Sequence, residues 1–120
     1  MESERLSEVF KLLGDPVRLE IICALSLQPL SVCEIVSLTG KSQPCISYHL
    51  RMLKAYGLIN AEKEGKFTIF SIIPDGNDGL NREVMEVVKN HMDMEKIKKK
   101  VDELNRIGRE NICGKFQDIA

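Results

Sequence analysis

Apolar residues recur at helical spacing near the start of the chain, at Leu6, Val9, Phe10 and Leu13, and Gly14 supplies a stop. Asp15-Pro16 then restarts the chain: Asp caps the free amides of a first turn, and Pro suits the first helical position. The following VRLEIICALSL is apolar on nearly every side from Leu19 on, which predicts a second helix at the buried centre of the domain. Ser31-Val32-Cys33-Glu34 has the S-x-x-E form of a capping box and opens a third helix, closed by Gly40. Ser42 caps a fourth, with Pro44 in its first turn where a missing N–H costs nothing. Ile46, Leu50 and Leu53 give that helix one inward stripe, leaving Ser42, Gln43, Cys45, Ser47, Tyr48 and Arg51 on its rim and outer face.

After Gly57 the period changes. Leu58 to Lys63, a turn at Glu64-Gly65-Lys66, and Phe67 to Ile72 read as a β-hairpin with a charged tip. Pro74 to Gly79 is a turn-rich connector. Leu80, Val84, Val87, Met94, Ile97, Val101 and Leu104 then predict one long final helix, with His91 inside its apolar stripe. About 25 helical residues span roughly 37 Å, more than so small a domain covers by itself. A second copy of the chain is the simplest cover for that stripe and for the first helix.

The expected fold is therefore mostly α with a β-hairpin wing, in the order α-α-α-α-β-β-α. That is a winged helix-turn-helix over residues 1–120, with the helix-turn-helix at 31–56 and the wing at 58–73. Residues 1–14 and 79–108 are the expected dimerisation helices of a homodimer. The length of 120 residues allows one core, and 43% hydrophobic with 29% charged residues is the composition of a globular domain. No run approaches the roughly 18 apolar residues of a membrane span. Met1-Glu2-Ser3-Glu4 has no signal-peptide character, so a cytoplasmic protein without a membrane partner is expected.

A formal charge of −1 does not announce a polyanionic partner, but its distribution changes the picture. Lys41, Arg51 and Lys54 occur without an acid between residues 41 and 54, whereas the first twenty residues hold five acids. A helix carrying small polar side chains and an Arg fits the major groove of double-stranded DNA. Gln43 can pair with adenine, Arg51 with guanine or a phosphate, and Ser42, Ser47 and Tyr48 with phosphates or base edges. Lys41, Cys45 and Lys54 share that face, and Lys63 and Lys66 of the wing would reach the backbone or minor groove alongside. A dimer would set two such helices about 34 Å apart and prefer an inverted repeat. His49 points the other way and is expected to be a hydrogen-bonded structural residue.

Cys23, Cys33, Cys45 and Cys113 form no CxxC, and their spacings of 10, 12 and 68 match no zinc knuckle or ribbon. Each has a plain reading as a small buried hydrophobe. Enzyme chemistry has no foothold: there is no nucleotide loop, no paired carboxylates in a predicted pocket and no Ser/His/Asp or Cys/His arrangement outside the helix-turn-helix, where Cys45 and His49 stand at i, i+4.

The segments LLGDPVRLEIICAL, PLSVCEIVSLTGKSQPCISYHLRMLKAYGLI and EKEGKFTIFSI resemble the ArsR/SmtB family of small winged-helix repressors, from about Val9 to Ile72. The run SQP-x-IS-x-HL-x-x-L-x-x-x-GL carries most of the specificity. The resemblance implies a homodimer that represses a promoter and releases it when an inducer binds. Arsenic- and cadmium-type members carry Cys-Val-Cys where this chain has Ser31-Val32-Cys33, so only the second thiol is present. The zinc-type pattern is absent, since the last helix offers only His91. Redox-type members place one Cys on the second helix, matched here by Cys23, and another on the last helix, where Lys89 to His91 has none; Cys113 would need a chain reversal or the other subunit to reach Cys23.

The inducer readings thus stay open. One is a thiolate-bound metal or metalloid ion on Cys33 with Cys45 or Cys113, with no other cofactor expected; another is oxidation or persulfidation of these thiols. A third is a ligand-independent regulator, or a protein-interaction module, whose cysteines are purely structural.

Overall fold

Side-chain caps hold the starts of the second, third and fourth helices. In the computed structural model, which describes residues 1–114, α1 (Ser3–Leu13) leads into α2 (Pro16–Leu25). Asp15 caps α2 by accepting from the amides of Val17 at 2.8 Å and Arg18 at 3.1 Å. α3 (Val32–Thr39) opens on the expected capping box: the Ser31 hydroxyl accepts from the Glu34 amide, and Glu34 Oε1 accepts from the Ser31 amide at 2.9 Å. Gly40, at φ 72°, ends α3 in the left-handed conformation that glycine adopts without strain. Ser42 caps α4 (Gln43–Ala55), accepting from the Cys45 amide at 3.3 Å.

The hairpin follows as β2 (Ile59–Glu64) and β3 (Phe67–Ile72), turning at Gly65 with φ 61°. A two-residue strand, β1 (Leu30–Ser31), pairs antiparallel with β3 and makes the sheet three-stranded in the order β1-β3-β2. The short run before the capping box gives no alternation from which to foresee it. Ile21 to Leu25 of α2, Ile35 of α3 and Ile46, Leu50 and Leu53 of α4 form the core, closed by Phe70 of the wing.

The connector after β3 is a built structure. Asn77 and Asp78 both take positive φ, and the fully buried Asn81 donates from Nδ2 to the carbonyls of Gly57 at 2.8 Å and Ile73 at 2.7 Å. Asn77 Nδ2 donates to the Tyr56 carbonyl at 2.9 Å. The connector is thereby tied to the end of α4 and the entry of the wing. Gly76 permits this close approach, since a Cβ there would lie 2.5 Å from Asn81 Nδ2.

The expected single final helix is three. α5 (Leu80–His91) stops at the extended Met92, and Asp93 caps α6 (Met94–Ile107) by accepting from the Lys96 amide at 3.1 Å. After Gly108 comes the short α7 (Arg109–Cys113). The break lets α6 fold back on α2 and α3, where Ile97, Val101 and Leu104 are buried. Each such side chain contributes about 1.5–3 kcal/mol when fully buried, which a straight helix projecting into water would forgo. This half of the apolar stripe is therefore covered by its own chain, not by a second copy. Val84 and Val88 of α5 are buried, but Val87 is exposed, and His91 is exposed instead of lying in an apolar stripe. Leu6 and Phe10 of α1 are also exposed. Residues 115–120 of the expected domain lie outside the described residues. Among the described residues, no helix is long and apolar enough to cross a membrane.

Candidate nucleic-acid interface

α4 presents its outer face beside the wing. Lys41, Ser42, Tyr48, Arg51 and Lys54 are exposed, while Gln43, Cys45 and Ser47 are half-buried. Between α4 and the wing lies an open cleft of about 600 Å³, whose wall includes Gln43, Ser47, Arg51 and Lys54 from the helix and Thr68 and Phe70 from β3. Two cations and two small polar groups thus converge on one groove edge, with no acid on α4 to oppose them. The Ser47 hydroxyl, within this wall, has no hydrogen-bond partner among the described residues.

The two wing lysines differ. Lys63 is exposed on β2 between Glu62 and Glu64. Lys66 lies in the hairpin turn, but its Nζ is 2.8 Å from Glu110 Oε2 of α7 and 5.4 Å from the Phe67 ring centroid. The structure thus brings all ten predicted DNA-facing residues to α4, its approach and the wing, with Lys66 paired to Glu110 of α7.

Behind α4 sits a residue that sequence reasoning passed over. Arg18 of α2 donates from Nε to His49 Nδ1 at 3.0 Å and from Nη1 to the Leu12 carbonyl at 3.1 Å. Its guanidinium also lies 5.8 Å from the Tyr48 ring centroid. Arg18 therefore links α1, α2 and α4 and backs the Tyr48 side chain. His49 is buried and structural, as its inward position implied. Burial lowers its pKa; nearby Asp15 opposes this and Arg18 adds to it.

The thiols are sorted by the fold. Cys45 is half-buried on α4 and unbonded. Cys23 is fully buried, 3.1 Å from Met94 Sδ, and burial together with the Glu20 carboxylate raises its pKa, which disfavours the reactive thiolate. Cys113 does make a chain reversal, through the α5–α6 and α6–α7 breaks, but it arrives at Cys33 and not at Cys23. The two form a disulfide with Cα atoms 5.4 Å apart across 80 residues of sequence. The Ser31 hydroxyl lies 3.2 Å from Cys33 Sγ and 3.4 Å from Cys113 Sγ, so the position of the missing family thiol still adjoins both sulfurs. Next to them Glu34 Oε1 accepts from Ser31 and, at 2.8 Å, from Arg109 Nε. Neither Cys45 nor Cys23 joins this group, and among the described residues no three His, Cys, Asp or Glu side chains cluster to hold a metal ion.

Comparison with known proteins matches this architecture. The family described as bacterial regulatory protein, arsR family, matches residues 15–61, from the α2 cap to the second strand of the sheet. An uncharacterised HTH-type transcriptional regulator from Methanocaldococcus jannaschii is 41% identical over 73 residues, 60% of this chain and 82% of that one. An arsenical resistance operon repressor from Staphylococcus xylosus is 30% identical over 94 residues, 78% of this chain and 83% of the relative. Among solved structures, a homodimeric winged helix-turn-helix DNA-binding domain from Mycobacterium bovis superposes with a TM-score of 0.60 at 29% identity, covering 75% of this chain and 83% of that one. The two sequence relatives are named as regulators of transcription. By the matched family and these relatives, the chain belongs to the ArsR/SmtB family of winged helix-turn-helix DNA-binding regulators.

Proposed function

We propose that this chain is a cytoplasmic, homodimeric repressor that binds an inverted repeat through α4 and is released by a signal acting on the Cys33–Cys113 thiol pair. The observation that carries the DNA half is the acid-free α4 face, with Arg51, Lys54 and Gln43 along one cleft edge. Gln43 and Arg51 read base edges, Ser42, Ser47 and Tyr48 contact phosphates or base edges, and Lys41, Lys54 and Lys63 contact the backbone. Leu6, Phe10 and Val87 are the exposed apolar side chains on α1 and α5, which supports self-association through these helices. The Staphylococcus xylosus relative is named as the repressor of an arsenical resistance operon, which supports a repressor role here.

The thiol half rests on the convergence of Cys33, Cys113 and Ser31 at the first turn of the helix-turn-helix. Two sulfurs in contact are chemically suited to two-electron oxidation; a soft metalloid bridging both thiolates is the second reading, supported by the same pair. Cys23 and Cys45 serve as structural residues in this reading.

The test is fluorescence anisotropy with promoter DNA across a salt series. Arg51→Ala and Gln43→Ala should weaken specific binding, by about 1–3 kcal/mol each if they read bases. Binding indifferent to both substitutions and to salt would exclude the DNA reading. Release by peroxide, or by arsenite, that is lost in Cys33→Ser and Cys113→Ser but kept in Cys23→Ser and Cys45→Ser would separate the two signals. Release by neither would leave a regulator with structural cysteines.

A further inference from the structure

α7 stands between the thiol pair and the wing, and it touches both. Cys113 is bonded to Cys33 at the start of α3. One turn earlier, Arg109 Nε donates to the buried Glu34 carboxylate at 2.8 Å, and its guanidinium lies 5.9 Å from the Phe67 ring centroid of β3. Between them Glu110 Oε2 lies 2.8 Å from Nζ of Lys66, in the hairpin turn. α7 has five residues and follows Gly108 at φ 91°, a swivel that glycine accepts readily. A helix that short does not persist in water without tertiary support. Its support here is Ile112, the Arg109 pair and the disulfide.

We infer that α7 is a thiol-controlled strap on the wing: the Cys33–Cys113 disulfide holds Glu110 against Lys66 and so withholds that lysine from the DNA backbone, and reduction lets both go. This rests on the proposal that the pair is the release switch. The Lys66–Glu110 contact is exposed, and an exposed ion pair alone is too weak to compete with a DNA phosphate. A covalent bond three residues from Glu110 changes that by keeping the carboxylate beside Lys66 at a high effective concentration. The strap also leaves an acidic side chain at the wing, where the phosphate backbone would pass.

The closing reaction takes a hydroperoxide as oxidant. One thiolate attacks the outer peroxide oxygen, the O–O bond breaks, and the alcohol or water leaves after taking up a proton. The second thiol then attacks the sulfenic sulfur, forming the S–S bond and releasing water. Two thiols and one hydroperoxide thus give one disulfide, one alcohol and one water. A dithiol reductant opens the bond by exchange through a mixed disulfide.

The experiment compares operator binding by the reduced and peroxide-oxidised full chain across a salt series, with free-thiol titration confirming each state. For the wild type, oxidation should weaken binding and lower the magnitude of the log K against log salt slope by about 2, one phosphate contact from each protomer. Glu110→Gln retains every cysteine and should still form the disulfide. Oxidised Glu110→Gln should nevertheless keep most of the reduced-state slope. If oxidised wild type and Glu110→Gln lose affinity and slope alike, the strap is overturned while the thiol switch stands. If oxidised wild type, with its disulfide verified, binds like the reduced protein, the switch fails and the strap with it.

Discussion

Reducing the Cys33–Cys113 bond should lower the stability of the described fold by an amount that follows from where the bond lies in sequence. It joins residues 80 apart, so it removes a large loop-closure entropy from the unfolded chain. On the chain-entropy account a loop of that length corresponds to about 4.5 kcal/mol at 25 °C, with about 2–4 kcal/mol the usual observed range. Unfolding 120 residues carries an entropy of about 250 cal/mol/K near the midpoint, so the melting temperature should fall by about 8–18 °C. The check is a thermal melt by circular dichroism at fixed protein concentration, with and without a dithiol reductant. Cys113→Ser should melt near the reduced wild type and ignore the reductant. Cys45→Ser should show the full wild-type shift. A reductant-induced shift that survives in Cys113→Ser would refute the assignment, because the bond stabilising the fold would then lie elsewhere.

Four further outcomes follow from contacts away from the thiols. Asn81→Ala leaves the carbonyls of Gly57 and Ile73 without this donor at a buried site, and urea unfolding should show a loss of about 2–3 kcal/mol. Gly76→Ala should also destabilise the protein, because its Cβ would fall 2.5 Å from Asn81 Nδ2 and 2.7 Å from the Gly57 carbonyl oxygen. His49 is held neutral in the fold with a pKa below its ordinary 6.5, so the unfolded chain binds the extra proton first. Its contribution is fully present above pH 6.5 and is lost as pH falls through the folded pKa; urea midpoints of wild type and His49→Asn between pH 8 and 5 should converge toward the acid end. Arg18→Ala removes the donor to His49 and the cation beside Tyr48, and should weaken operator binding with little change in the salt slope, since Arg18 is a positioning residue and not a phosphate contact.

The outward face of α4 was legible because its causes are local. A cap, a proline in the first turn and a stripe at i, i+4 and i+7 set the rotation of α4, and that rotation decides which side chains face out. Arg18 was not legible, because its role comes from three elements meeting: Leu12 of α1, its own α2 and His49 of α4. The pattern misled at the final helix. Leu80 to Leu104 keeps a helical period throughout, and periodicity says nothing about whether the axis runs straight. Asp93 was the available signal, an N-cap residue in the middle of the run.

The amino-acid sequence by itself determined the first four helices, the hairpin wing and the polar face of α4, since capping, periodicity and turn chemistry act over a few residues. Only the tertiary structure decided the fate of the cysteines. Whether Cys33 meets Cys23, Cys45 or Cys113 depends on long-range placement, which no spacing along the chain encodes. The deciding event is the reversal at Met92-Asp93, which buries α6 on α2 and α3 and delivers α7 to the start of the helix-turn-helix. Apolar burial drives that reversal, and the pairing of Cys113 with Cys33 follows from it.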